Sequence, residues 1–188
     1  MPRRQTKSTL EVMPKRGEIV LVNRAPVLTL WAAVVAEKLG HSHETALTLG
    51  KAVAGMNAQS KGRRLGIYPE PDEEELKKRR ARAPATHVEL LGRRVPIVRT
   101  PRGPRAAKDG KPESATAVER YLERKLGDKL PAVRAAMIDL AGSMPKDELA
   151  DEAYGLYEKF RPRIPSGERG WGAAGELDLD KVRALARR

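Results

Sequence analysis

Val27-Leu-Thr-Leu-Trp31-Ala-Ala-Val-Val-Ala36-Glu-Lys-Leu39-Gly40-His-Ser42 carries the pattern around which the rest of the chain has to be arranged. Between Val27 and Leu39 apolar residues take nearly every position, so no polar face is left for solvent, and a helix of that kind belongs inside a core. Gly40 ends it, because glycine enters the left-handed conformation that closes a helix C-terminus. Ser42 is placed to cap a second helix over about 43–60, its hydroxyl accepting from the open amides of the first turn. On that helix Ala46, Gly50 and Ala54 recur every four residues. They form a stripe small enough for close backbone approach to the alanines of the first helix, with Leu47, Leu49, Val53 and Met56 supplying bulk beside it.

Upstream, Glu18-Ile-Val-Leu-Val22 has the β-branched density of a short strand over 18–22. Asn23 to Pro26 supplies a helix start, with asparagine as the cap and proline in the first turn. Residues 1–17 read as a basic flexible tail. Downstream, Glu70 to Arg82 runs acids first and bases last, which complements a helix dipole, and Glu73–Lys77, Glu74–Lys78 and Glu75–Arg79 are each spaced i,i+4. This stretch predicts either a solvated, self-supporting helix or, at its Lys77 to Arg82 end, part of a phosphate-binding stripe. Two β-type runs about Gly92-Arg93 predict a hairpin over 86–100, and Pro96, having no amide hydrogen, places its strand at an edge or a bulge. Residues 101–112 are basic and rich in proline and glycine. They read as a linker, either a solvated connector or an arm that contacts phosphate.

Beyond the linker, apolar residues at helical spacing mark helices over 114–126, 130–144 and 145–161: Val118 and Leu122; Val133, Met137 and Leu140; Leu149, Ala153, Leu156 and Phe160. A glycine-rich loop follows over 162–175, with Trp171 expected to dock into the core, and Leu177 to Arg188 reads as a short closing helix. The expected fold is therefore mainly α. A helical N-terminal module over 18–100, with the short strand and the hairpin as its β element, is joined to a helical module over 113–188, where self-association would be housed.

The chain has 188 residues, with 37 Lys and Arg against 25 Asp and Glu and a formal net charge of +12. Residues 1–112 hold 23 basic and 11 acidic residues, whereas residues 113–188 hold 14 of each, so the excess lies in the first part of the sequence. Such an excess calls for an anionic partner. There is no cysteine, which excludes disulfides, thiol nucleophiles, iron–sulfur clusters and Cys-type zinc sites. No apolar run approaches the roughly 20 residues of a membrane span, and the first residues lack the apolar run of a secretory signal, so a cytoplasmic, membrane-free setting is expected.

One segment resembles a known pattern. Ala36, Gly40, Ser42, Thr45 and Ala46 occupy, place by place, the small residue, turn glycine, cap, threonine and small apolar residue at the centre of a helix-turn-helix DNA-binding motif. The hairpin with Arg93 and Arg94 at its tip resembles the wing of winged-helix proteins. The resemblance implies docking on double-stranded DNA. The second helix, however, offers few polar side chains beyond Lys51, Asn57 and Gln59, which favours contact with the phosphate backbone over reading of bases.

Catalysis finds little support. The three histidines are His41, His43 and His87, and the first two diverge by about 200° on a helix, unlike the i,i+4 pair of a zinc helix. No catalytic group, cofactor motif or metal site is called for. The expected function is nucleic-acid binding, DNA before RNA, as a regulator or nucleoid-type protein, through Lys61, Arg63, Arg64, Arg93, Arg94, Arg102 and Arg105. The rival is a non-enzymatic scaffold whose charge serves solubility or an acidic protein partner.

Overall fold

The computed structural model describes residues 17–82, 86–167 and 173–186, so residues 1–16 of the expected tail, and Trp171, lie outside the described residues. The protein is mainly α with short antiparallel β elements. β1 (Ile19–Val22) leads into α1 (Arg24–Lys38), whose residues from Pro26 to Ala36 are all buried, as its unbroken apolar sequence requires. Asn23 holds the extended cap conformation, but its side chain makes no capping bond. Gly40 closes the turn at φ +107°, and the Ser42 hydroxyl accepts from the Thr45 amide to open α2 (His43–Arg64), one turn longer than the sequence suggested.

The small-residue stripe of α2 makes the close approach expected of it. A β-carbon built on Gly50 would strike the Thr29 carbonyl oxygen of α1 and lie 2.9 Å from the Ala33 amide nitrogen. Backbone cannot swing aside as a side chain would. Gly50→Ala should therefore lower stability by about 2–3 kcal/mol despite alanine's better helix propensity. Urea unfolding followed by circular dichroism checks this, and an unchanged midpoint would contradict the packing described.

α3 (Glu73–Arg82) buries no residue and carries the Lys78–Glu74 (2.9 Å) and Arg79–Glu75 ion pairs, in keeping with a solvated helix. β2 (His87–Leu90) and β3 (Arg93–Thr100) form the hairpin. Its turn is Leu91-Gly92, with φ 48° and 70°, not Gly92-Arg93. The register explains the shift of one residue, because pairing Leu90 with Arg93 sets half-buried Val88 opposite buried Val95, so the two apolar side chains share the core-facing side. Pro96 sits where β3 is an edge, since β2 pairs with residues 93–96 and β4 only with residues 97–100.

The stretch expected as a linker instead carries β4 (Gly103–Lys108) and β5 (Lys111–Pro112), giving a four-stranded meander in the order β2-β3-β4-β5. Two tight turns make this possible. Thr100 Oγ1 donates to the Gly103 carbonyl at 2.7 Å and accepts from the Arg102 amide at 3.3 Å, and Asp109-Gly110 turns with φ 52° and 75°. β4 is anchored on α2, where Thr48 Oγ1 accepts from the Ala106 amide at 3.0 Å and Thr45 Oγ1 donates to the Pro104 carbonyl at 2.7 Å.

α4 (Ala115–Leu126), a short 3-10 turn at Gly127–Lys129, α5 (Leu130–Gly142) and α6 (Lys146–Phe160) fall where the periodicity placed them. The end of the chain differs. Gly175–Asp178 is a strand, β6, paired antiparallel with β1, and α7 (Leu179–Leu185) starts only after Asp178, whose carboxylate accepts from the Lys181 amide at 3.2 Å. Segments far apart in the sequence, 19–22 and 175–178, thus meet in one sheet. A continuous core joins the two expected modules, with α1 packed against α2, α4, α5 and α6 together. Trp31, fully buried, donates from its indole to the Ala153 carbonyl of α6 at 2.8 Å and meets Phe160 edge-on at 5.4 Å.

Candidate functional site

The burial of α2 changes along its length. Thr45 to Gly50 are all buried, so most of the first two turns packs inside the protein. What that end leaves exposed is His43 and Glu44. In the second half one face opens: Ala54, Asn57, Ala58, Lys61 and Arg64 line a cavity of about 660 Å³. Their spacing of three and four residues places them on one side of the helix.

Opposite that face stand the start of α1, the start of β3 and the end of α6. Arg24, Arg93 and Arg161 reach the cavity from these three segments, joining Lys61 and Arg64. Glu158 is the one carboxylate among the described lining residues. None of the five cations forms an ion pair among the described residues. Their mutual proximity is felt electrostatically. Partial desolvation, with Arg24, Arg161 and Arg64 nearby, holds the Lys61 ammonium below its ordinary value, and desolvation followed by Arg161 does the same to Arg24.

Helix ends account for part of the tolerance of this crowding. Lys61 and Arg64 lie in the last turn of α2, and Arg161 caps α6, where the helix dipole favours cations. Arg24 has no such support at the first position of α1, and is held instead by a hydrogen bond from its Nε to the Pro162 carbonyl at 3.0 Å.

The polar floor is ordered by side chains far apart in sequence. Asn57 Oδ1 accepts from the Tyr154 hydroxyl at 3.2 Å and from Arg93 at 3.4 Å. With its oxygen used twice, the amide of Asn57 keeps its N–H donors for another acceptor. The Tyr157 hydroxyl donates to the Arg24 carbonyl at 3.4 Å, and burial above all pushes this phenol up to about 12, so it stays neutral.

The seven cations expected from sequence divide three ways. Lys61, Arg64 and Arg93 meet in the cavity. Arg63, Arg94 and Arg102 are exposed but do not line it. Arg63 lies about 200° around the helix from Lys61, and Arg94 points to the opposite face of β3 from Arg93. Arg105 is a correction: it is only 6% exposed, pairs with Glu44, and donates to Thr45 Oγ1 at 3.3 Å and to the Arg102 and Pro104 carbonyls at 3.2 and 2.9 Å. Its charge is consumed in clamping β4 to the start of α2.

Sequence reasoning missed Arg24, Asn57, Tyr154, Tyr157 and Arg161. Asn57 could have been found, being four residues before Lys61 on the same helical face. Arg24 and Arg161 carried no signal, because nothing in the sequence brings residues 137 apart together. No protein-family model matches the chain, and comparison with curated proteins and with solved structures returns no match. Among the described residues no helix is long and apolar enough to cross a membrane.

Proposed function

We propose that this chain binds nucleic acid through phosphate groups, DNA in the first instance, with the cavity between α1, α2, β3 and α6 as its main phosphate site. The observation that carries this reading is the convergence there of Arg24, Lys61, Arg64, Arg93 and Arg161 without ion-pair partners among the described residues. A fold holds like charges together at a cost in stability, and an anion would offset it. Guanidinium groups suit phosphate because their planar forks donate two parallel hydrogen bonds. Arg63, Arg94 and Arg102 are exposed and available to flanking phosphates. Contact of this type orients a duplex without reading its sequence, which accords with a regulator or nucleoid-type role.

The test is a salt titration. A labelled duplex should bind at low salt and lose roughly 100-fold in affinity between about 50 and 200 mM salt, as the neutralisation of about four phosphates would give. Binding absent at low salt, or flat with salt, overturns the reading and leaves the basic charge to solubility or an acidic protein partner.

A further inference from the structure

The cavity has a shape that lengthwise contact with a duplex does not use. Double-stranded DNA, with grooves about 12 and 6 Å wide, lies along a surface and meets cations set in rows. Here the cations come from four separate segments and surround one concavity of about 660 Å³, the size of a small-ligand pocket. An internal phosphodiester carries a single charge and has chain continuing on both sides. A phosphomonoester carries about −1.5 to −2 and presents three free oxygens, so it can be grasped from several directions at once. Among the described lining residues, five cations against the one carboxylate of Glu158 leave an excess suited to a dianion. The N–H donors of Asn57, which have no acceptor among the described residues, add a neutral contact, and Leu28, Ala54, Ala58 and Ile164 supply an apolar wall for the group that bears the phosphate.

We infer that the cavity receives a phosphomonoester, the phosphorylated end of a nucleic-acid strand, in preference to the internal backbone. This deepens the reading above and rests on it for the identity of the polymer. Free mononucleotides present the same chemistry and form a separate arm of the test.

The experiment compares one duplex sequence in three forms, with 5′-phosphate, 3′-phosphate or hydroxyl ends, by fluorescence anisotropy at fixed low salt. Adenosine monophosphate and adenosine serve as competitors. One phosphorylated form should bind about tenfold tighter than the hydroxyl form, as one added charge-assisted contact would give. The monophosphate, and not the nucleoside, should compete, and Asn57→Asp should erase the preference by setting a carboxylate against the ligand. Circular dichroism confirms that this variant is folded, and Arg161→Gln, at an exposed position, should reduce the preference in the same direction. Equal binding of all three duplexes overturns the inference while leaving nucleic-acid binding in place. Binding of the monophosphate with no binding of any duplex upholds the phosphomonoester site and overturns the polymer. Binding of neither overturns both.

Discussion

Arg64→Glu combined with Arg161→Glu is expected to weaken duplex binding by about 100-fold or more at low salt, because two attractive contacts become repulsive ones and like charges brought together cost several kcal/mol. Both positions are exposed and neither makes an ion pair among the described residues, so the fold does not depend on them. Their replacement sets carboxylates beside Arg24, Lys61 and Arg93, which relieves the crowding. That relief opposes the loss of the cations favoured by the helix dipoles at the ends of α2 and α6, so the thermal midpoint should change little while binding collapses. Loss of function without loss of stability separates a binding cavity from a merely structural cluster. Arg120→Glu with Arg124→Glu, on exposed positions of α4 outside the cavity, applies the same change in net charge and serves as control. If the control weakens binding as much as the cavity pair, overall charge governs the interaction and the assigned site is wrong.

Trp31→Ala should be the most damaging single core substitution, lowering stability by about 4 kcal/mol, in the range found when a large aromatic is truncated in a packed core. Trp31 is fully buried on a helix buried over eleven consecutive residues, and it reaches α6 through both its indole hydrogen bond and Phe160. Collapse around the vacated volume would require several helices to move. Trp31→Phe keeps most of the contact and loses the donor, so about 1–2 kcal/mol is expected for it. Urea unfolding followed by far-ultraviolet circular dichroism measures both. A loss below about 1 kcal/mol for the alanine variant would mean that α1 is not the centre of the core.

The helices were legible because their determinants are local. Gly40, the Ser42 cap and the unbroken apolar run from Val27 act within a few residues, and the periodicity of α4, α5 and α6 needs no knowledge of partners. The β elements were legible only in part. Asp109-Gly110 is a strong hairpin signal, yet the residues around it do not alternate in hydrophobicity, because β4 uses backbone and threonine hydrogen bonds to α2 more than apolar side chains. The pairing of β1 with β6 joins segments far apart in the sequence and leaves no local mark.

Charge misled in a similar way. Counted along the sequence, the C-terminal part is neutral, yet it contributes Arg161 to the most cationic concavity described, while Arg105 from the basic part is neutralised inside. Formal charge belongs to segments, whereas electrostatic potential belongs to surfaces, and folding alone converts one into the other.

The hydrogen bonds from Arg24 to Pro162 and from Tyr157 to Arg24 join parts of the chain more than 130 residues apart, at the rim of the cavity. A guest lodged there would act as a rivet through α1, α2, β3 and α6, and unfolding would have to expel it. Ligand present at a hundred times its dissociation constant raises stability by about 2.7 kcal/mol. For a chain of this length each kcal/mol moves the midpoint by roughly 2–4 °C. Melting the protein against a panel of phosphorylated compounds would thus let the molecule choose its own guest.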